Sequence, residues 1–375
     1  MMLLSTSFTE IISWVGYIIV ALLCLMFMIV VHETGHYVVG KIFKFRILEF
    51  SIGFGPKLFQ RVNKESGEKF SIRAIPLGGY CQFAGEEEEG KVEDGDFNTK
   101  PAWQRILVLF AGAFMNLVSA VIIITIFFMS WGDYIPTVRY TYPYTDSEYV
   151  QQFEVGDMIY SVDGHNTYAL MNRSKVQNAI KDKDEVVVKV LRDGEFVEFT
   201  VKLADYAGYA KNADGEDVEM SGYGLGITIG YTKVQLSFFD AIGRAFTFLG
   251  EVIALMFTSI GKLFTGAAKI KNTMGGTATA IESLAILSQS GFAAVMYGVC
   301  VLSASMGLMN LMPIPALDGA KIVQCFIEWI TKKELNRKII AIVDLVSLGI
   351  LFAFAITCDI LHFFGWLKWV RKSLK

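Results

Sequence analysis

Residues 11–36 read IISWVGYIIVALLCLMFMIVVHETGH: 21 residues without a charge from Ile11 to Val31, running straight into His32-Glu33-Thr34-Gly35-His36. An apolar helix of about 20 residues covers the roughly 30 Å of a hydrocarbon core, so the stretch predicts a membrane span with a polar end. His32 and His36 are i and i+4 and leave one helix face a turn apart. Two imidazoles so placed reach one Zn²⁺ at about 2.0–2.1 Å. Glu33 stands beside them, placed to take a proton from a water activated there. Of only four histidines in the chain, two fall in this motif. Two histidines and a glutamate at the edge of an apolar span are costly without partners or a metal.

The rest of the composition agrees with a membrane class. The chain has 375 residues, 53% hydrophobic and 19% charged, with a mean hydropathy of +0.44. There is too much to bury for a disordered chain. A net charge of −3 offers no basic field, so no nucleic-acid partner is expected. The five cysteines (Cys24, Cys81, Cys300, Cys325, Cys358) are widely spaced, without a CxxC pair, and read as small apolar residues rather than a disulfide framework.

Two further uncharged stretches are long enough to span, Ile106–Gly132 with 27 residues and Phe292–Leu317 with 26. A fourth, Ile339–Leu367, is interrupted by Asp344, Asp359 and His362 but is still long and aromatic. Leu236–Phe264 is broken by Asp240, Arg244, Glu251 and Lys262, and is expected to lie on the membrane rather than cross it. Residues 1–40 carry no Lys or Arg, so the first span is not expected to be a cleaved signal peptide, whereas Lys41–Lys100 carries ten. Basic loops stay in the cytoplasm, so the N-terminus is expected outside, although the basic tail Lys368, Arg371, Lys372, Lys375 runs against four spans.

The fold expected is an α-helical polytopic membrane protein of about four transmembrane helices. Residues 1–40 form the first helix, 104–132 the second, 292–320 the third and 321–375 a cytoplasmic loop, the fourth helix and the tail. Residues 41–103, glycine-rich and strand-like through Gly53-Phe54-Gly55-Pro56 and Pro76-Leu77-Gly78-Gly79-Tyr80, are expected as a membrane-associated β-hairpin loop, followed by a solvated acidic run Glu86-Glu87-Glu88-Glu89. Residues 236–291 are the interfacial helix and linker. Residues 133–235 alternate like short strands, punctuated by Asp163-Gly164 and Asp193-Gly194. Phe153–Gly164, with Gly156-Asp157-Met158-Ile159 leading to Val162-Asp163-Gly164, resembles the signature of a PDZ domain, and Gly224-Leu225-Gly226-Ile227 resembles its peptide-terminus loop. That resemblance implies an extracytoplasmic PDZ-like α+β domain that takes an added peptide strand.

A zinc hydrolase needs a third protein ligand and an open position. His165 lies in the β-rich region and His362 at the far end of the last span. Asp318 is better placed. It ends the third span in Asn310-Leu311-Met312-Pro313-Ile314-Pro315-Ala316-Leu317-Asp318-Gly319, where Pro313 and Pro315 must open the helix. The first and third spans run in the same direction, so Asp318 and the histidine pair fall at one depth.

HExxH in the first span together with NxxPxPxLDG in the third resembles the site-two protease family of intramembrane zinc metalloproteases, in particular bacterial regulators of the sigma-E-protease type with a PDZ domain outside the cytoplasmic membrane. Pro101-Ala102-Trp103-Gln104-Arg105, Ala111-Gly112-Ala113-Phe114-Met115-Asn116 and Lys262–Gly266 ahead of Met274-Gly275-Gly276 also fit. Ala113, Ala320 and Thr277 depart from the family pattern, none at a ligand position. The resemblance implies one zinc per chain held by His32, His36 and Asp318, with Glu33 as catalytic acid/base. The substrates it implies are single-pass transmembrane proteins, such as anti-sigma factors or remnant signal peptides.

A helical substrate must be unwound before its carbonyl can be attacked. The loop from Ile72 through Gly78 and Gly79 to Tyr80 is expected to pair with it as a strand, and Asn116 and Asn310 are candidate contacts to its backbone or interhelical hydrogen bonds. Two rival readings are a PDZ-bearing scaffold with a structural zinc, which would need four ligands, and a transporter built on Asp344 and Asp359.

Overall fold

The computed structural model describes residues 8–86, 93–170, 175–211, 217–265 and 277–373. Glu87-Glu88-Glu89 of the acidic run, Gly266 and Met274-Gly275-Gly276 lie outside the described residues. The chain forms two compact units, one of Met1–Ile124 with Leu249–Lys375 and one of Thr125–Phe248.

In the first unit, helix α1 (Phe8–Ile42) is 35 residues of almost unbroken apolar sequence. Ala21, Leu25 and Met28 mark one face at i, i+4 and i+7. They are buried against Leu284 and Ala285 of α5 (Thr277–Gln289) and Val295 and Val299 of α6 (Phe292–Asn310). On other faces of α1, Val15, Ile19, Leu23 and Phe27 stay exposed. Helix α8 (Arg337–Ser373) is apolar all round, with Ile339, Ile342, Leu345, Ile350 and Phe352 exposed. Apolar surface of this kind suits lipid rather than water.

Helix α2 (Ala102–Trp131) stops at Gly132, whose φ of +72° takes the chain out of the helix. The expected third span is divided: α6 ends at Asn310, residues 311–317 are not helical, and α7 (Asp318–Thr331) restarts at the predicted ligand. The prolines cause the break, since neither can donate to the ladder.

Leu236–Phe264 forms a helix as expected, α4 (Phe238–Phe264), of 27 residues. Among the described residues, α1, α2, α4, α6 and α8 are long and apolar enough to cross a membrane by length and composition. Arg244 of α4 is buried and paired with Asp133 at 3.2 Å.

Strands β1 (Ile47–Val62) and β2 (Lys69–Phe83) form the expected hairpin, with both strands bent. Glu49–Ile52 pairs on one side with Gly79–Gln82 and on the other with Lys69–Ile72, which also meets Phe59–Val62. The bend falls at Gly53 and Gly55, with φ of +85° and +80°. Phe45, Ile47 and Phe83 seat the hairpin on Val108 and Leu109 of α2 and Cys325 of α7.

The second unit holds the β domain. Strands β3 (Asp133–Thr141), β4 (Met158–Val162), β6 (Glu185–Arg192), β7 (Glu195–Lys202) and β10 (Ile227–Val234) form an antiparallel sheet in the order β10-β3-β4-β6-β7, with β5 (His165–Asn166) on β4. Asp193-Gly194 joins β6 to β7 with φ of +49° and +86°, the left-handed pair a two-residue hairpin requires. Strands β8 (Ala204–Lys211) and β9 (Asp217–Gly224) form a separate hairpin. Val138, Ile159, Val162, Val186, Val188 and Val190 build the core with Val176 of the short helix α3 (Lys175–Ala179).

Candidate metal centre

Three side chains predicted as ligands meet in the first unit. His32 Nε2 lies 3.0 Å from Asp318 Oδ2 and 3.1 Å from His36 Nε2, and His36 Nε2 lies 3.3 Å from Asp318 Oδ2. Ligand atoms about 2.0–2.1 Å from a tetrahedral Zn²⁺ stand roughly 3.3 Å apart along each edge, so these three outline one face of such a site. Among the described residues this is the one His/Cys/Asp/Glu cluster with metal-binding spacing.

The surroundings fit the same ion. His36 Nδ1 donates to the Val108 carbonyl at 2.8 Å, which leaves the Nε2 lone pair facing the cluster. Asn116, completely buried, sets its amide 3.4 Å from His32 Nδ1 with Oδ1 otherwise unsatisfied. Turning that amide over lets Oδ1 accept the Nδ1 proton, satisfying the oxygen and freeing His32 Nε2 for a metal.

Close helix approach makes this geometry possible. A Cβ on Gly35 would stand 2.3 Å from the Ala111 carbonyl oxygen, and one on Gly307 would stand 2.8 Å from that of Ala113. A Cβ on Gly112 would stand 2.3 Å from His36 Nε2. Sequence reasoning assigned no role to these glycines or to Val108. Glycines inside apolar helices are the available signal, since such residues let helix backbones touch.

A family model described as Peptidase family M50 matches residues 20–354. The chain belongs to this family, the site-2 protease peptidases. Among its relatives, a protein of Fusobacterium nucleatum is 32% identical over 322 residues, covering 85% of this chain and 90% of the relative. One from Clostridium perfringens is 30% identical over 338 residues (89% and 95%), and one from Clostridium acetobutylicum 26% over 343 (92% and 96%). Each carries the name "Putative zinc metalloprotease". This M50 peptidase is a zinc metalloprotease and a multi-pass membrane protein.

The other predicted residues fall in three places. Glu33 lies beside β2: a Cβ on Gly79 would stand 3.5 Å from its Cγ, and the Cys81 backbone N–H faces its carboxylate. Gly79 and Tyr80 sit in the outer row of the hairpin and pair only with Ile52 and Ser51 among the described residues, while Gly78 is covered by the Phe54 ring. Ile72 is corrected as a strand-pairing residue, because Ile52 and Phe59 flank it on both sides and no edge is left. Asn310 approaches both ring nitrogens of His32 at 3.5 Å. Gly224, Leu225, Gly226 and Ile227 belong to the second unit, where they line a groove with Val176, Gln177 and Ile180.

The intramembrane carboxylates that suggested a transporter are both engaged. Asp359 accepts from the Ala278 and Thr279 backbone N–H groups at the start of α5, and Asp344 accepts from Ala316 N–H. A structural zinc would need a fourth donor, and among the described residues the cluster holds three.

Proposed function

We propose that this M50 peptidase hydrolyses peptide bonds within or near transmembrane segments of single-pass membrane proteins in a bacterial cytoplasmic membrane. The observation that carries the reading is the meeting of the His32, His36 and Asp318 ligand atoms within 4.8 Å, on helices α1 and α7, next to candidate spans. Bound zinc supplies Lewis acidity, lowering the pKa of a water and polarising the scissile carbonyl. Glu33 takes the proton of the attacking water and passes it to the leaving amine. Among the described residues no strand pairs with the outer edge of Gly79–Gln82, which lies beside Glu33, and a groove lined by Tyr80, Cys81, Gln82 and Lys321 runs along it. An extended substrate adds there as a strand, which exposes carbonyls that a helix would keep in its own hydrogen bonds. Asn310 stands at the cluster within reach of that backbone.

The β domain lies outside the membrane in this reading and restrains access. A second role is supported by the groove beside β10, an edge strand with α3 opposite, which suits an added peptide strand.

Purified full-length protein in liposomes with a transmembrane peptide tests the activity. Cleavage that a zinc chelator abolishes and zinc restores is the expected result. Cleavage only of soluble peptides, with the transmembrane peptide untouched, overturns the reading.

A further inference from the structure

The turn that delivers Asp318 has an unusual hydrogen-bond account. In residues 311–317, Pro313 and Pro315 have no N–H. Leu311, Met312, Ile314 and Leu317 donate to carbonyls of Leu308, Met309, Met312 and Ile314, at 3.1, 3.0, 2.7 and 3.1 Å. Ala316 alone turns outward. Its φ is +74°, a left-handed conformation that residues with a Cβ seldom adopt, and its N–H donates to Asp344 Oδ1 at 3.1 Å. Asp344 is a half-buried carboxylate within the apolar stretch of α8, about a third of the way along it. A charge in such a helix needs a partner to persist. Lys321 and Arg337 line the same cavity, but Lys321 is paired with Glu86 at 2.6 Å and Arg337 with Glu328 at 2.7 Å.

The position of Asp318 depends on this turn. Its neighbour Gly319 is pressed against it so closely that a Cβ would stand 2.3 Å from the Met312 carbonyl oxygen and 2.4 Å from that of Leu311. A turn that relaxed at Ala316 would carry the first residue of α7 with it. Asp318 Oδ2 would then leave the 3.0 and 3.3 Å spacing it holds to the two histidines.

We propose that Asp344 is a positioning residue for the metal site: by holding the Ala316 N–H, it keeps the proline turn in the left-handed conformation that presents Asp318 to His32 and His36. The proposal rests on the zinc site but not on the choice of substrate, so its test reads zinc affinity rather than cleavage.

The experiment measures zinc affinity of the purified full chain in detergent by competition with a chromophoric chelator. Wild-type binding, lost in His32→Ala, first establishes the site itself. Asp344→Leu is expected to weaken zinc binding by about 10- to 100-fold, the usual effect of losing a group that orients a ligand. Asp344→Asn keeps an acceptor oxygen and should stay within about threefold of wild type. The deciding variant is Ala316→Gly/Asp344→Leu. Glycine adopts a φ of +74° without help, so this pair should recover most of the lost affinity. Mere packing of α8 would not be rescued by a change in the turn. Wild-type affinity in Asp344→Leu, a loss in Asp344→Asn as large as in Asp344→Leu, or no recovery in the double variant each overturns the proposal. If Asp344→Leu does not fold, Asp344→Ala carries the same comparison.

Discussion

Gly112 of α2 lies directly behind the two histidine rings, where a Cβ would stand 2.3 Å from His36 Nε2 and 2.9 Å from His32 Cε1. No rotamer change relieves a Cβ, so Gly112→Ala must push α2 away from α1 or displace both ligands. Overpacking of this kind costs about 1–3 kcal/mol. The expected outcome is at least a tenfold loss of zinc affinity with the helical content retained, read by chelator competition and far-UV circular dichroism. Unchanged affinity would mean that the rings sit elsewhere.

Glu33→Gln and Asp318→Ala should separate chemistry from metal binding. A glutamine cannot take the proton from water, so Glu33→Gln should hold zinc normally while cleavage falls by about 10²–10⁴. Asp318→Ala removes a ligand oxygen 3.0 Å from His32 Nε2 and should lose both zinc and activity. Metal analysis beside a cleavage assay distinguishes them, and full zinc occupancy in Asp318→Ala would place the third ligand elsewhere.

Glu328 of α7 joins Arg105 of α2 to Arg337 of α8 at 2.8 and 2.7 Å. Burial raises the Glu328 carboxyl, but the Leu335 N–H and the Arg105 guanidinium outweigh it and hold the group below the ordinary carboxylate range. A carboxylate lowered on folding contributes its full stability above the unfolded value, about 4.3 for Glu. It loses that contribution as pH falls through the folded value. Glu328→Ala leaves Arg105 buried without its partner and should destabilise by about 3–5 kcal/mol at pH 7. The gap to wild type in denaturant unfolding should narrow below about pH 4, and a gap that widens with acid would contradict the assignment.

Thr137 and Gly230 are register partners midway along β3 and β10, so residues between them can be replaced by a short glycine bridge. The shortened protein should keep its zinc. If the domain restrains access, substrates with bulky external domains are cut more readily. If the groove beside β10 recruits free carboxyl termini, those substrates are cut less and short peptides are unaffected. Equal cleavage of full-length and trimmed substrates by both forms would leave the domain a structural role alone.

The local chemistry of the site was legible in the sequence because it depends on short-range geometry. The i, i+4 spacing puts His32 and His36 on one face whatever surrounds them, and Pro313 and Pro315 open the chain before Asp318 in any context. Hairpin turns such as Asp193-Gly194 are local in the same sense. Tertiary structure alone decided the rest. The meeting of His32 and Asp318, 286 positions apart in sequence, depends on Gly35, Gly112 and Gly307, whose role exists only where another helix touches them. Arg244 reads as a free charge until the fold buries it and pairs it with Asp133. Ile72 reads as a free strand residue until bends in both strands of the hairpin enclose it on two sides. In each case the physical quantity at stake, a backbone contact, a neutralised charge or a paired strand edge, belongs to two segments remote in sequence, and one segment by itself does not contain it.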